Sequence, residues 1–224
     1  MKAQEGIILA ADSRGTIGDP RGLTAINDSQ VKIFPLGPCG VAFAGASEMG
    51  ATLMDEWRKK GLDAVKDVDE AMPAVVQASS DCFSAWFKDI PPEKRPGVVM
   101  TLAGYRLSAK TREQMVYLMV SNTNFAPQLF GNNPCLSGVP QYAVYLMHRY
   151  YDPSISLDRA KALSEYLISE TASQDPKVGG RIRMAEITAD NGYRELAQDE
   201  VEAIQEENAR LNQEMRQFFL KGKV

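Results

Sequence analysis

Residues 6–14 have the sequence Gly-Ile-Ile-Leu-Ala-Ala-Asp-Ser-Arg, in which a small and apolar run is followed at once by charged residues. A short apolar run that is bounded by polar or turn-forming residues has the ordinary length of a buried strand. Asp12 and Arg14 stand immediately beyond that run. We therefore predict a buried strand over residues 6–11 that carries two charged residues at its end.

Three further apolar runs with turn residues at their ends also have strand length, and they cover residues 40–46, 97–105 and 114–121. Between the first and the second of these runs, apolar residues recur at helical spacing over residues 48–60 and 63–88. Pro73 lies inside the second helical segment, and because proline lacks the N–H that a helix needs, we expect a break or kink there. The pattern predicts a helical hairpin between strands.

The second half of the chain combines helical and strand patterns in a similar way. Residues 141–151 and 156–173 have helical spacing, and Ser156 with Asp158 is typical of a helix start. Residues 180–188 alternate polar and apolar side chains ahead of the sequence Asp-Asn-Gly, which predicts a tight turn between two antiparallel strands. Strands grouped with helical pairs indicate an α+β arrangement of packed layers.

The bulk composition is that of an ordinary globular protein. The 224 residues are 44% hydrophobic and 24% charged, which suits a single domain over residues 1–224. The net charge of −4 provides no broad positive field for a phosphate backbone, so nucleic-acid binding is disfavoured. No stretch has the pattern of a membrane span or a secretion signal, and we expect a cytoplasmic protein without membrane contact.

The cysteines and the single histidine give little support for metal or thiol chemistry. Cys39, Cys82 and Cys135 are odd in number and lack Cys-x-x-Cys spacing, which argues against a disulfide framework and against a zinc site. His148 stands in a helical segment without a nearby cluster of serine or cysteine. We expect reduced thiols, a packed or surface histidine, and neither a metal nor a cofactor.

The last predicted helix, at about residues 199–220, is amphipathic. Its apolar residues recur at steps of three and four positions, at Val201, Ile204, Leu211, Met215 and Phe218. Asn208 occupies the position in that series between the second and third of these residues. Two interpretations stay open: the helix docks on its own domain, or it forms an intersubunit coiled-coil seam in which Asn208 sets the register.

Four blocks along the chain resemble, in the same order, motifs of proteasome β-type subunits and of bacterial proteasome-like proteins, which are amino-terminal-nucleophile (Ntn) hydrolases. The blocks are residues 11–14 (ADSR), residues 31–34 (VKIF), residues 41–45 (VAFAG), and the pair of residues 137–140 (SGVP) and 175–180 (DPKVGG). The resemblance extends over nearly the whole chain. It implies a single proteasome-like domain, built as a four-layer α-β-β-α sandwich of two stacked antiparallel sheets.

The same resemblance implies a catalytic site. In the family, a threonine hydroxyl attacks the peptide carbonyl while the free α-amine of the same residue takes up the proton. By resemblance, Lys32 supplies a positive charge that keeps this amine neutral, and Asp12 holds Lys32 charged and oriented. The backbone N–H of Gly45 would face the developing oxyanion. Ser137 and Asp175 would complete the hydrogen-bonded floor.

In the family, the nucleophile lies on a strand ahead of the one that corresponds to residues 6–11. The first hydroxyl in this sequence belongs to Ser13, which lies beyond that strand and cannot replace the family's threonine. We expect a coding start a few codons upstream of Met1, with a threonine at the head of the added strand. Val178 stands where the family usually has a serine, and we expect Phe43 to shape the substrate pocket.

The resemblance implies a threonine-type endopeptidase that hydrolyses protein or peptide substrates in intracellular protein degradation. It also implies a homo-oligomeric ring, for which the partner could be an ATP-driven unfoldase. Two alternatives with the same fold stay open. One is a non-catalytic ring subunit with a structural or gating role, and the other is a monomeric binding module.

Overall fold

Strands and helices follow one another along the chain in the computed structural model, which describes residues 1–18, 24–46 and 48–221. Within these residues the strands are β1 (Gly6–Ala11), β2 (Gly15–Gly18), β3 (Thr24–Asn27), β4 (Ile33–Leu36), β5 (Cys39–Gly45), β6 (Val98–Leu107), β7 (Arg112–Val120), β8 (Gln128–Phe130), β9 (Arg183–Thr188) and β10 (Gly192–Glu195). The α-helices are α1 (Glu48–Lys59), α2 (Val68–Trp86), α3 (Gln141–Tyr150), α4 (Leu157–Gln174) and α5 (Gln198–Lys221).

Two antiparallel sheets contain most of the strands. The three-stranded sheet has the order β1-β9-β10, and the five-stranded sheet has the order β4-β5-β6-β7-β8. A separate hairpin of β2 and β3 follows β1. The tight turn predicted near residue 191 joins β9 to β10, and Gly192 has a φ of 64° there, which glycine adopts without strain.

Apolar side chains fill the space between the two sheets. Ile7 and Leu9 of β1 belong to one buried cluster with Ile33 of β4 and Val116 of β7. The sheets approach closely at Gly40, where an added Cβ would lie 2.7 Å from Leu9 Cδ1. The odd-numbered residues of β1 therefore lie between the sheets, as the pleat of a strand requires.

Helices cover the outer faces of both sheets. α1 and α2 pack on the five-stranded sheet, where the ring of Phe43 stacks on Trp57 with the centroids 6.1 Å apart. On the other side, Ile8 and Met184 of the three-stranded sheet pack against Ala160 of α4 and against α5, and α3 packs on α4. The order helix, sheet, sheet, helix confirms the predicted α+β fold and its four-layer α-β-β-α sandwich.

The first turn of α2 is fixed by local capping. The Asp67 carboxylate accepts a hydrogen bond from the Glu70 N–H (2.9 Å), and the Glu70 carboxylate accepts one from the Lys66 N–H (2.8 Å). Of the break or kink expected at Pro73, the break is wrong, since α2 continues through this residue as one helix. The capped start and the buried apolar face of α2 outweigh the single hydrogen bond that proline removes.

The C-terminal helix docks on α4 of the same chain. Asn208 donates a hydrogen bond to the Ala162 carbonyl (2.8 Å) and another to the Glu165 carboxylate. Glu165 is only 1% exposed, so Asn208 supplies a partner that a buried carboxylate needs. These contacts favour the docked interpretation of the helix over an intersubunit seam at Asn208.

Residues 1–18, 24–46 and 48–221 contain neither a candidate membrane span nor a candidate metal cluster. No helix there is both long enough and apolar enough to cross a membrane. No group of three or more His, Cys, Asp and Glu side chains there could hold a metal ion.

Candidate active site

A cavity of about 550 Å³ opens beside the carboxyl end of β1. Its walls come from β1, the end of β5, the loop that precedes α3, and α4. Four of the residues that the sequence singled out line this cavity, and they are Asp12, Lys32, Gly45 and Ser137. The structure therefore brings together residues that are far apart in the sequence.

Lys32 and Asp12 form an ion pair in the wall of the cavity. The Lys32 Nζ lies 2.6 Å from Asp12 Oδ1, and it donates a second hydrogen bond to the backbone carbonyl of Arg14 (2.7 Å). Each side chain of the pair is 14% exposed, so the charges are largely removed from water while still bordering the cavity. A fixed positive charge of this kind favours the neutral form of an amine placed beside it.

The two residues of this ion pair lie at the ends of two strands. Asp12 directly follows β1, and Lys32 directly precedes β4. The Lys32 carbonyl accepts a hydrogen bond from the Phe43 N–H (2.8 Å), which continues the ladder between β4 and β5 by one pair. Because β1 and β4 belong to different sheets, the ion pair bridges the two sheets at the end of the sandwich.

Backbone donors hold the second carboxylate oxygen of Asp12. Oδ2 accepts hydrogen bonds from the N–H of Arg14 (3.1 Å) and from the N–H of Gly179 (3.0 Å). With Lys32 on Oδ1, both oxygens of the carboxylate are engaged. The orientation of Asp12 toward Lys32 is thus set by three donors from three parts of the chain.

Gly45 ends β5 in a conformation that favours glycine. Its φ is 95°, and an added Cβ would lie 2.0 Å from the Gly97 carbonyl oxygen. The Phe43 N–H points to the edge of β5 that carries Lys32, and strand alternation turns the Gly45 N–H, two residues later, to the same edge. Since Gly45 lines the cavity, its N–H can donate to a negatively charged oxygen bound there.

Ser137 and Asp175 lie in different surroundings. Ser137 is exposed on the loop before α3 and lines the cavity, but its hydroxyl makes no hydrogen bond within the described part of the chain. Asp175 follows α4, and its carboxylate accepts a hydrogen bond from the Lys177 N–H (2.8 Å). Asp175 does not line the cavity, and its carboxylate makes no hydrogen bond or ion pair with Lys32, whose partners are Asp12 and the Arg14 carbonyl.

Phe43 lies on the opposite side of the five-stranded sheet from the cavity. Its buried ring stacks on Trp57 and meets Phe34 edge-on, with centroids 5.6 Å apart. The expectation that Phe43 shapes the substrate pocket is therefore wrong, and Ala42 lines the cavity instead. The physical reason is strand alternation, which turns Phe43, like Cys39 and Val41, toward α1 and α2 and turns Ala42 toward the cavity.

Three residues of this site were not selected from the sequence. Arg14 Nε and Nη2 donate hydrogen bonds to Asp28 Oδ1 (2.7 Å) and Oδ2 (2.9 Å), and Gly179 supplies the N–H that reaches Asp12. The hydrogen bonds from Arg14 hold the pKa of Asp28 below its usual value. The Asp-x-Arg spacing and the Gly-Gly pair were available signals for Arg14 and Gly179, whereas Asp28 has no sequence signal of its own.

The cavity follows one edge of β1 that is only partly paired. Met1 and Ile8 are opposite each other, because the Met1 nitrogen donates to the Ile8 carbonyl (2.7 Å) and the Ile8 N–H donates to the Met1 carbonyl (2.8 Å). Backbone groups alternate along a strand, so the N–H and carbonyl of Ala10 face the same side as those of Ile8. Residues 8–12 line the cavity. We call this feature the open-edge groove, which leads from Met1 to the pair of Asp12 and Lys32.

A thiol also lines the open-edge groove. Cys135 Sγ lies 3.6 Å from Thr101 Oγ1, and both residues belong to the wall. Burial raises the pKa of the Cys135 thiol. The thiol therefore stays protonated near neutral pH, and a protonated thiol is a poor nucleophile.

No protein-family model matches the chain, and no curated protein matches its sequence. Its fold is similar to that of Anbu (ancestral beta-subunit) from Yersinia bercovieri, with a TM-score of 0.74 and 15% identity over 99% of this chain and 95% of that chain. The structure described as the helical assembly of the Anbu complex from Pseudomonas aeruginosa has a TM-score of 0.73 and 16% identity, over 97% of this chain and 94% of that chain. An Anbu (Gly-1) mutant from Hyphomicrobium sp. strain MC1 has a TM-score of 0.70 and 14% identity, over 100% of this chain and 96% of that chain.

Similarities at this level of identity show the fold alone. The fold is proteasome-like, which confirms the coarser part of the sequence interpretation. The identification as a proteasome β-type subunit is wrong, because the similar solved structures named above are Anbu proteins.

Proposed function

We propose that the chain is a subunit of an amino-terminal-nucleophile peptidase with a proteasome-like fold, in which a threonine hydroxyl hydrolyses peptide bonds of protein or peptide substrates. The observation that carries the proposal is the open-edge groove, which leads along β1 to the ion pair of Lys32 and Asp12. In such peptidases the nucleophile is the first residue of a strand, and its own α-amine acts as the base. A groove along an open strand edge that ends at a fixed positive charge suits this chemistry.

The register beside β1 gives the length that an added nucleophile strand would need. Met1 is opposite Ile8 in an antiparallel register. The first residue added ahead of Met1 would therefore lie opposite Leu9, and each further residue would lie opposite the next residue along the chain. A fifth such residue would lie opposite Ser13, one position beyond Asp12. At about 3.3 Å per residue, five residues span roughly 16 Å. The α-amine at the head of this strand would then lie beside Lys32.

Each residue of the site has a role in the proposed reaction. The α-amine accepts the hydroxyl proton as the threonine oxygen attacks the carbonyl carbon, and it returns the proton to the leaving amine. Lys32 keeps the α-amine neutral before attack, and Asp12 fixes Lys32. The Gly45 N–H stabilises the oxyanion. Ser137 lines the same cavity and supplies a hydroxyl that can form hydrogen bonds within the site. Water then hydrolyses the ester and releases the acyl product.

We also propose that the chain acts as a homo-oligomer in the cytoplasm. The Pseudomonas aeruginosa Anbu structure is a helical assembly. At the end of α5, Phe218, Phe219 and Leu220 are exposed, which suits burial against another copy. Native mass spectrometry tests this proposal, because a multiple of the 24.7 kDa chain is expected and a lone chain would contradict it. An ATP-driven unfoldase is a candidate partner of such an assembly.

The catalytic proposal is tested with an extended protein in which a threonine and four strand-forming residues precede Met1, and a site-specific protease exposes the threonine as the amino terminus. We expect this protein to hydrolyse fluorogenic peptides. A matched protein with alanine in place of the threonine should be inactive. In the threonine protein, Lys32→Met should lower kcat by about 10²- to 10⁴-fold, the usual contribution of assisted proton transfer.

Amide hydrogen exchange shows whether the added strand docks. Pairing with the open edge of β1 should slow exchange of the Ala10 N–H, which faces the groove. Slow exchange together with peptide hydrolysis is the expected result. A docked threonine strand that hydrolyses nothing would contradict the proposal, as would equal activity of the threonine and alanine proteins.

A second candidate function, a non-catalytic subunit of an assembly, is favoured by the position of Asp175. This carboxylate lies outside the cavity, and Val178 brings no hydroxyl to the loop beside Asp12. The hydrogen-bonded floor that the resemblance implies is therefore incomplete. This candidate requires the extended strand to dock without peptide hydrolysis, so the same two measurements separate it from the peptidase.

A further inference from the structure

The Arg14 side chain is held in place near the ion pair of Lys32 and Asp12. Its Nε and Nη2 donate to the two carboxylate oxygens of Asp28 at 2.7 Å and 2.9 Å, and its Nη1 donates to the Pro176 carbonyl at 3.0 Å. The side chains of Arg14 and Asp28 are 22% and 46% exposed. Although this ion pair is partly open to water, its two-point geometry restricts the orientation of the guanidinium.

Gly179 lies directly against this guanidinium. A Cβ added to Gly179 would lie 2.6 Å from Arg14 Cζ, so a side chain at this position would displace the guanidinium. The Gly179 N–H donates to Asp12 Oδ2 (3.0 Å), and its carbonyl accepts a hydrogen bond from the Ser13 N–H (3.1 Å). The loop over residues 176–180 is thus tied both to Arg14 and to Asp12.

Hydrogen bonds to Ser13 also fix the position of the segment from Asp28 to Lys32. Its backbone carbonyl accepts a hydrogen bond from the Ser13 hydroxyl (2.7 Å), and the Ser13 carbonyl accepts one from the Gln30 N–H (3.0 Å). Lys32 follows two residues after Gln30. Asp28 is therefore connected to Lys32 through its own segment and to Asp12 through Arg14 and the neighbouring loop.

We propose that Asp28 is a positioning residue for the ion pair of Lys32 and Asp12, acting through the Arg14 guanidinium and the Gly179 N–H. Its catalytic importance rests on the proposed function, whereas the positioning itself does not depend on hydrolysis. Without the Asp28 carboxylate, Arg14 is released and the loop loses an anchor. The hydrogen bond from Gly179 to Asp12 then weakens, and the Asp12 carboxylate can rotate away from Lys32.

Three substitutions test this proposal. Asp28→Asn removes the charge and nearly preserves the shape of the side chain, whereas Asp28→Glu keeps a carboxylate that can still pair with Arg14. Asp190→Asn is the matched control, because it removes a carboxylate from another exposed pair, the one with Arg112. The unextended chain carrying each substitution is followed by two-dimensional NMR.

The NMR measurement compares the amide of Gly179 with that of Leu102, which lies in the middle of β6. We expect Asp28→Asn to shift the Gly179 amide proton upfield and to accelerate its exchange by about tenfold relative to Leu102. Both changes follow because the hydrogen bond from the Gly179 N–H to the Asp12 carboxylate becomes weaker while the rest of the fold is kept. Asp28→Glu should restore both values, and Asp190→Asn should leave them unchanged. A general loss of structure would accelerate both amides together. An unchanged Gly179 signal in Asp28→Asn would overturn the proposal.

Kinetics of the threonine-extended protein provide the second measurement. Asp28→Asn should lower kcat by about tenfold or more, because small misplacements of reacting groups are costly, with KM within about threefold. Asp28 does not line the cavity, so substrate binding is not expected to change. An active parent that keeps its full kcat in Asp28→Asn would overturn the proposal. If the parent hydrolyses nothing, the proposed function fails, and the NMR result alone decides the positioning role.

Discussion

Lys32 Nζ and Asp12 Oδ1 lie 2.6 Å apart, and this contact joins the start of β4 in one sheet to the end of β1 in the other. The open-edge groove ends at the same point. A single ion pair therefore contributes both to the stacking of the two sheets and to the charge of the candidate site. Substitutions of either residue should affect stability as well as chemistry.

Removal of either charge should destabilise the fold. We expect Lys32→Met and Asp12→Asn each to lower the free energy of unfolding by about 1–3 kcal/mol, because each leaves a largely buried polar group without its partner. The double variant should cost less than the sum of the two. Urea denaturation of the four proteins measures this coupling.

The exposed ion pair of Lys59 and Glu56 is the control for that measurement. These residues are three positions apart in α1 and are well exposed to water. Their coupling should be no more than about 0.5 kcal/mol, as is usual for exposed helical pairs. Equal coupling in the two pairs would contradict a stabilising role for the contact between the sheets.

Gly45→Ala should be strongly destabilising. The new Cβ would meet the Gly97 carbonyl oxygen at 2.0 Å, and the φ of 95° is strained for alanine. We expect a loss of about 2–4 kcal/mol from the strain and the steric clash together. Gly131→Ala is the control, because nothing lies within 4 Å of an added Cβ there, and its effect should stay within about 1 kcal/mol. Calorimetric Tm values that fall equally in the two variants would contradict this expectation.

Asn208→Ala should weaken the docking of α5 on α4. The buried Glu165 carboxylate would lose a hydrogen bond from the Asn208 amide, at a cost of about 1–3 kcal/mol in the free energy of unfolding. Gln213→Ala changes an exposed residue of the same helix and should be nearly neutral. Chemical denaturation and native mass spectrometry should show lower stability with an unchanged oligomeric state. A changed oligomeric state without loss of stability would instead indicate an intersubunit seam.

The charge network at Glu186 should make stability depend on pH. Burial alone would raise the pKa of Glu186, but the hydrogen bond from Arg194 and the ion pair with Lys161 outweigh burial and hold this pKa below its usual value. The unfolded chain therefore binds this proton more readily than the folded chain does. The resulting stabilisation is complete above the ordinary glutamate pKa of about 4.3 and is lost as the pH falls through the folded pKa.

Glu186→Gln tests this dependence on pH. Urea denaturation between about pH 3 and pH 7 should show a shallower acid-side loss of stability in this variant than in the parent, because one linked proton is removed. Glu93→Gln, at an exposed glutamate outside the network, should keep the slope of the parent. Parallel acid-side slopes in the parent and Glu186→Gln would contradict the assignment.

Much of the fold could be predicted where hydrophobic patterns are strong. β1 is a short apolar run because one face meets the other sheet through Ile7, and the opposite face meets α4 through Ile8. The hairpin of β2 and β3 was not predicted, because its strands are only four residues long and leave Ile17 and Ile26 exposed. A strand that buries so little has no distinctive sequence pattern.

The candidate site was harder to predict from the residues themselves. Asp12 and Lys32 are twenty positions apart, and only the resemblance to a known family indicated that they meet. The contact of Arg14 with Pro176 crosses 162 positions, so no local pattern reports it. Asp28 acts through that tertiary contact and was missed for the same reason.

The site of covalent attachment tests most directly whether the groove beside β1 receives a strand whose first residue reaches Lys32. The threonine-extended protein is treated with a peptide vinyl sulfone, and the modified residue is located by peptide mapping and mass spectrometry. We predict one adduct, on the introduced threonine, which is absent from the alanine protein and forms much more slowly in Lys32→Met. An adduct on another residue such as Cys135, or a docked threonine strand that stays unmodified, would contradict this prediction.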